Sequence, residues 1–520
     1  MALGISRTTA IAIVVVVVVI IAVVAAILAT QRPSPPPAPP TTTSATTTTS
    51  MSTSAPTTTS TITTTTTAPT QKLVVYGPWG VNTPEGQIFQ QLIKPFEQQY
   101  HVKIEYVGTT DYGTEAQQIT SGSPPFDVVI FAPVSLARQL AEGGYLTDLT
   151  PYLQQSGILG QLIPYYIAPV NISGHIYGVP VDAWSKPGIY VYVPTMQKYG
   201  IPMPTEISQR WDWGQFLGYL QKLKANGVIP LGSGAADQWP LVIVFEPIVY
   251  SLGGKDLYYA IMCHKISYTS PIVEQAFEFY LSLIASGAFG PSAFAASQHF
   301  VDVYALMKNG TVAMYFMGDW TPFFNHNYTA FIPVMAPSIN PQLAGQYFVV
   351  TGGDWALVPK NVPDNKTLAI QFAIWLASQD FQQAVLKSGW RAVSPNKAAM
   401  QAALSGQISV PYSSKIVDSW LVQFSNNLVP DIADNMPPQF EQQVFWPTLA
   451  KMISDPAHWL DYLSQMEQLA NRIYNQTNWD NTYPLCQGVA YTGPTVYTGP
   501  MYNVTAILTS AGIPLPSWQK

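Results

Sequence analysis

Charge is what this chain has least of. Only 10% of its 520 residues are Asp, Glu, Lys or Arg, against about 25% in an ordinary soluble protein. Acidic residues outnumber basic ones, 29 to 23, for a net charge of −6. That balance argues against nucleic acid as a partner. Cysteine is scarce: Cys263 and Cys486 are too few for a disulfide scaffold or a zinc site. The six histidines stand apart at 101, 175, 264, 299, 326 and 458. With no HxH, HExxH or Cys–His cluster, no metal site is expected. No P-loop and no Gly-x-Ser-x-Gly elbow stands between a strand and a helix, so neither a bound cofactor nor an enzyme is expected. Carboxylate pairs for glycoside hydrolysis cannot be picked out by spacing, because such pairs meet only in space.

Gln, Asn, Thr, Ser and Tyr take the polar positions instead. A surface with few carboxylates loses little when they protonate, so the composition suits an acidic external medium. Long apolar runs are also missing, with one exception. Ala10–Ala29 is twenty residues without a charge, about 30 Å as a helix, which is the thickness of a bilayer's hydrocarbon core. Pro, Thr, Ser and Ala dominate residues 31–70, and 18 of the 30 residues from 41 to 70 are Thr, the composition of an O-glycosylated stalk. The expected order is an amino-terminal segment (1–9), a transmembrane anchor (10–29), a stalk (30–70) and a body held outside the cell. Arg7 and Arg32 orient the span only weakly. A cleaved signal peptide is one alternative; cleavage near Ser6–Ala10 that leaves the helix as an anchor is another. Six Asn-X-Ser/Thr sequons, at Asn171, Asn309, Asn327, Asn365, Asn475 and Asn503, fit an exported glycoprotein. Outside the cell Cys263 and Cys486 could bridge and pin the carboxy-terminal tail to the body; two separate buried thiols are the alternative.

The remaining 450 or so residues are too many for one core, so two lobes are expected. KLVVY (72–76) is a short strand, broken by Gly77-Pro78-Trp79-Gly80. Ile88, Phe89, Leu92, Ile93 and Phe96 have helical spacing within 83–100. VKIEYV (102–107) alternates as a strand, 114–120 reads as helix, and FDVVIF (126–131) is a continuous apolar strand suited to a buried parallel sheet. A helix at 135–143 completes β-α-β-α-β-α, an open α/β sheet with helices on both faces.

Several segments carry a family resemblance. KLVVYGPWG with PPFDVVIFAP, HIYGVP (175–180) leading to GIYVYVP (188–194), Tyr199–Pro202 with Trp211-Asp212, and above all YALMKNGTVAMYFMGDW (304–320) resemble extracellular solute-binding proteins. TGGDWALVPK (351–360), AIQFAIWLASQDF (369–381) and GWRAV (389–393) continue the likeness, although Ala392 stands where the family usually has Pro. These are the maltose- and sugar-binding receptors of ABC importers, here in an archaeal-type form with an anchor and a Thr-rich stalk. The resemblance covers roughly 72–475 and leaves 476–520 as an unmatched carboxy-terminal extension. It implies a two-lobed periplasmic-binding-protein-like fold of type II, with hinge segments and a ligand cleft between the lobes. Lobe 1 would be 71–182 with 340–390, and lobe 2 would be 183–339 with 391–475. Helices are expected at 366–388 and 446–474.

Candidate ligand contacts are the aromatic–acid pairs at predicted hinges and loop edges. They are Trp79, Asp182 with Trp184, Asp237 with Trp239, Asp319 with Trp320, Gly353 with Asp354 and Trp355, and Trp390 with Arg391. An indole stacks on the C–H face of a pyranose, and carboxylates accept from its hydroxyls through strong, charge-assisted hydrogen bonds. Each has an alternative reading as a core or capping residue; Asp127, Trp211 and Trp213 are read as structural. The resemblance implies a monomeric receptor that takes a sugar or oligosaccharide by hinge closure and delivers it to ABC permease subunits. A same-fold receptor for a peptide or polyol, and a stalked surface glycoside hydrolase, are the alternatives.

Overall fold

The computed structural model describes residues 71–204, 209–346, 348–412 and 428–519. The expected anchor and stalk lie outside the described residues. Among the described residues no helix is long and apolar enough to cross a membrane.

Two sheets organise two hydrophobic cores. In the first, β1 (Gln71–Gly77) lies parallel to β2 (Val102–Gly108) on one side and to β3 (Val128–Phe131) on the other. β13 (Trp355–Leu357) then pairs antiparallel with β3 and with β6 (Val179–Pro180), giving the order β2-β1-β3-β13-β6. All four residues of β3 are buried, as a strand covered on both faces requires. Asp127 is a fixture of this sheet: its carboxylate accepts from the amides of Val74 at 2.8 Å and Asp364 at 3.0 Å. A small hairpin joins β4 (Asn171–Ile172) to β5 (His175–Ile176).

The second sheet runs β11-β8-β10-β9. β8 (Gly188–Tyr192) is antiparallel to β10 (Val312–Met317) and β11 (Phe331–Met335), and β10 is parallel to β9 (Ile229–Leu231). Helix Trp213–Ala225 packs beside it behind a reciprocal cap, Asp212 with Gln215, which satisfies two otherwise orphan amides.

A third sheet joins the two halves. β12 (Val349–Gly352) lies between β14 (Leu428–Pro430), parallel, and β7 (Trp184–Lys186), antiparallel. Buried apolar residues of 73–181 and 355–390 form one core; those from 183 to 350 and from 386 to 513 form the other, with Tyr166 and Phe323 reaching across. The change of core falls between Val350 and Trp355, later than the 340 expected. The reason is local: Ile339 donates its amide to Ser251 Oγ at 2.7 Å and Phe348 stacks on Tyr250 at 4.0 Å, so this stretch stays on the second core.

Three expected helices are each split in two. Pro95 ends Pro84–Leu92 and opens Lys94–Tyr100, because it has no N–H for the carbonyl four residues back. Ser378 caps Gln379–Ser388 after Lys366–Leu376. Asp455-Pro456 separates Trp446–Ser454 from Trp459–Thr477. The tail is part of the second core: Trp479, Tyr483, Tyr497, Val504 and Leu508 are all buried in it. Cys263 and Cys486 are joined in a disulfide with Cα atoms 5.4 Å apart.

Candidate ligand cleft between the lobes

A cavity of about 460 Å³ opens where the two cores face each other across the third sheet. Its first-lobe wall starts at the carboxyl end of β1, where open α/β sheets bind ligands. Pro78 and Trp79 line the cavity there. The Tyr106 hydroxyl accepts from the Trp79 amide at 3.1 Å and donates to the Trp79 carbonyl at 2.7 Å, which fixes the turn. Helix Pro84–Leu92, capped by the Thr83 hydroxyl, delivers Glu85 to the same wall.

The second-lobe wall is a continuous aromatic surface. Trp184 meets Trp320 edge-on at 6.3 Å, Trp320 meets Trp239 at 6.3 Å, and Trp239 meets Phe300 at 5.1 Å. Such tilted contacts suit the ring quadrupoles and hold the indoles rigidly. Trp239 is only half-buried. Asp237 beside it accepts from the Phe300 amide at 2.6 Å and pairs with His299 Nδ1 at 2.8 Å. That hydrogen bond raises the His299 pKa.

Two cations among the described residues reach the cavity, and both are matched by carboxylates. Arg391 donates from Nε to Asp182 at 2.7 Å and from Nη1 to Glu85 at 2.8 Å, with Asp354 at 3.8 Å. Its guanidinium lies over Trp390 at 4.7 Å and Trp320 at 5.6 Å. Burial opposes its charge, but the surrounding carboxylates outweigh burial and raise its pKa. Lys186 is paired with Asp431 and sits 4.7 Å over the Trp184 ring. Burial opposes this charge too, and Asp431, Glu246 and Asp434 together raise its pKa. The carboxyls of Asp354 and Asp434 are held well above their ordinary range, first by burial and then by the neighbouring aspartates Asp182 and Asp431. Among the described residues the wall therefore offers no uncompensated cation for an anionic ligand.

Seven of the twelve expected contacts line this cavity: Trp79, Trp184, Asp237, Trp239, Trp320, Asp354 and Arg391. The other five stand behind its wall. Asp182 is fully buried and accepts from Arg391 and from the Asp354 amide at 3.0 Å. Asp319 accepts from the Ala392 amide at 3.0 Å, and burial pushes its pKa up to about 7. Gly353 passes so close to Asp182 that a Cβ would lie 2.6 Å from that residue's carbonyl oxygen. The Trp355 indole belongs to the first core and donates to the Tyr166 carbonyl at 2.8 Å. Trp390 is fully buried, edge-on to Trp79 at 4.6 Å, and donates to Glu85 at 3.2 Å.

Sequence reasoning missed Glu85, Tyr112, Lys186, Asp431, Asp434 and Trp446, all on the cavity. Lys186 could have been found, since it is two residues from Trp184 and so on the same face of a strand. Gln442 reaches the wall from Glu441–Phe445, a wide turn bonded i→i+5, and Trp446 from the first residue of the helix that follows it; such turns occur often at functional sites, but nothing in the local pattern announces one. The Trp446 indole N–H has no partner among the described residues. No group of three or more His, Cys, Asp or Glu is arranged for a metal ion among the described residues. Of the sequon asparagines, Asn171, Asn309, Asn327, Asn475 and Asn503 are exposed; Asn365 is partly buried and caps a helix through the Leu368 amide at 3.0 Å.

A family profile described as bacterial extracellular solute-binding protein matches residues 80–383. An uncharacterized ABC transporter extracellular-binding protein of Pyrococcus horikoshii is 26% identical over 409 residues, 76% of this chain and 87% of that one. A glucose-binding protein of Saccharolobus solfataricus is 27% identical over 287 residues, 52% of this chain and 49% of that one. Among solved structures, a chitin oligosaccharide binding protein superposes with a TM-score of 0.65 at 15% identity, covering 77% of this chain and 99% of its own.

Proposed function

The chain belongs to the bacterial extracellular solute-binding protein family, and we propose that the solute it takes is a neutral sugar or short oligosaccharide. The observation that carries this reading is the composition of the cavity wall. The linked rings of Trp184, Trp320, Trp239 and Phe300 offer apolar faces to pyranose C–H groups, and carboxylates stand around them as hydroxyl acceptors. Arg391 and Lys186 are already paired, so a phosphate or carboxylate ligand would find no free cation among the described residues. The cavity volume of about 460 Å³ lies in the range of small-molecule sites, ~300–1,000 Å³. The names of the relatives support the same class, since one binds glucose and a structural neighbour binds chitin oligosaccharide.

In this reading the protein works outside the cytoplasm as the solute-binding component of an ABC importer. The lobes close about the third sheet, a hinge motion common in binding proteins, and the loaded protein delivers its sugar to permease subunits. Residues 10–29 anchor it as a monomer, and the Pro/Thr tract is its tether. Forty extended residues reach on the order of 120 Å, which keeps the receptor at high effective concentration near its permease. The chain itself performs no covalent step, and the sequons carry glycans.

A thermal-shift panel of glucose, galactose, maltose, chitobiose, raffinose, mannitol and two oligopeptides tests the ligand class. A ligand at 100 times its Kd stabilises the folded state by about 2.7 kcal/mol, so one of the sugars is expected to raise Tm by several degrees. A shift with a peptide and with none of the sugars overturns the carbohydrate assignment.

A further inference from the structure

The carboxy-terminal tail takes no part in the cavity, yet it touches two elements that shape it. The first is the loop Asp431–Asn435, which puts Asp431 and Asp434 on the cavity wall. Trp479 and Tyr483, stacked at 4.6 Å, meet this loop from behind. The Trp479 indole donates to the Asn435 carbonyl at 3.3 Å, and the Tyr483 hydroxyl donates to Asn435 Oδ1. Asn435 Nδ2 in turn donates to the Asp431 carbonyl at 2.7 Å. The second element is helix Val134–Glu142 of the first lobe. Its Arg138, almost fully buried, donates from Nη2 to the Thr482 carbonyl at 2.5 Å and lies 5.8 Å from the Tyr483 ring centre. Glu142 pairs with the same guanidinium at 2.7 Å. Nearby, the Ser135 amide donates to the Asp434 carbonyl at 3.4 Å.

The tail is bound firmly to the second lobe. Trp479, Tyr483 and Cys486 are buried in that core, Cys486 is covalently joined to Cys263, and Lys265 pairs with Asp480 at 2.6 Å. The Arg138 contact is therefore a link from second-lobe material to the first lobe, made away from the hinge strands β7, β12 and β14.

We propose that residues Trp479–Cys486 are a brace that sets the angle between the lobes, with Arg138 as its positioning residue on the first lobe. Any rotation about the hinge strands carries helix Val134–Glu142 away from a tail fixed to the second lobe. A guanidinium–carbonyl hydrogen bond tolerates only a few tenths of an ångström of stretch, so rotation breaks it. The brace thus favours the conformation in which Trp79 and Glu85 face Trp239 and Trp320 across one cavity. It also holds Asp431 and Asp434 in the wall, so the tail acts on ligand binding without touching ligand.

The test needs no ligand, so it fails or succeeds independently of the sugar assignment. Spin labels are placed at the exposed positions Gln98 and Gln221 through Gln98→Cys and Gln221→Cys on the full chain, and the interlobe distance distribution is read by pulsed electron resonance. Arg138→Met is expected to shift or broaden that distribution by several ångströms. Arg138→Lys, which still donates to Thr482, is expected to restore the parent distribution. An unchanged distribution in an Arg138→Met variant with native near-ultraviolet circular dichroism overturns the proposal. If that variant does not fold, Arg138→Gln, which keeps a polar head but removes the guanidinium that reaches Thr482, is read by the same criterion.

Discussion

Acidification from pH 7 to pH 5 should make this protein more stable, and Glu246 shows why. It is fully buried on helix Pro240–Met262; its Oε1 accepts from the Tyr258 hydroxyl at 2.7 Å and the Ile432 amide at 2.8 Å, while Oε2 has no partner among the described residues. Burial, and then the charge of Asp431, push its pKa from 4.5 up to about 8. Burial likewise raises Asp319 from 3.8 to about 7. In both cases the folded state holds a proton that the unfolded chain has released at pH 7. Stability therefore falls as pH rises between the unfolded and folded pKa values, and it recovers in acid. Each such proton is worth about 1.4 kcal/mol per pH unit, so the two groups together give roughly 5 kcal/mol between pH 7 and pH 5. Glu467 works the other way. Burial alone would raise its pKa, but hydrogen bonds from His264 and the Tyr268 amide lower it to about 2, so its contribution is lost only as pH drops below about 4.5 and on through 2. Urea unfolding at half-unit intervals of pH gives the slope directly. Glu246→Gln, which imitates the protonated acid, should flatten the slope by about one proton and leave stability at pH 5 near the parent value. A parent slope that is flat or positive from pH 5 to pH 7 refutes the reasoning.

The same geometry sets three further outcomes. Arg391→Met leaves Asp182, Glu85 and Asp354 facing one another without their cation; a loss of about 3–5 kcal/mol at pH 7 is expected, and equilibrium unfolding at pH 7 measures it. Trp239→Ala removes a half-buried ring from the cavity wall; calorimetric titration with whichever sugar gives the largest thermal shift should show at least a tenfold weaker Kd, about 1.4 kcal/mol, with Tm nearly unchanged. Removing the disulfide through Cys263→Ala with Cys486→Ala opens a loop of sequence separation 223; the chain-entropy account gives roughly 2–5 kcal/mol of destabilisation, and a loss below about 1 kcal/mol in denaturant titration would show that the tail is held by packing alone.

The first sheet was legible because its strands are local and continuous: β3 is an unbroken apolar run, and the turn after β1 is written as Gly77-Pro78-Trp79-Gly80. The family itself was legible in segments such as 304–320, and the matching profile spans 80–383. Helix ends were less so. Pro95 and Pro456 were visible in the sequence, but whether apolar periodicity or the proline prevails is decided by packing on either side.

The cavity lay further beyond the sequence's reach. Sequence alone determined that the chain holds few charges, that its aromatics cluster with acids at strand ends, and that no local motif for metal or phosphate is present. It could not tell which member of each aromatic–acid pair faces the ligand space. Trp184 and Trp320 line the cavity while Asp182 and Asp319 turn inward, and Asp354 lines it while Trp355 enters a core. Those choices depend on Arg391, which arrives from more than 200 residues away to meet Asp182. Glu85 and Lys186 reach the same cavity, and Asp431 and Trp446 join them from the carboxy-terminal part of the chain. Only the tertiary fold brings such distant groups within ångströms, where burial and Coulomb attraction decide which side chains pair with each other and which are left to face a ligand.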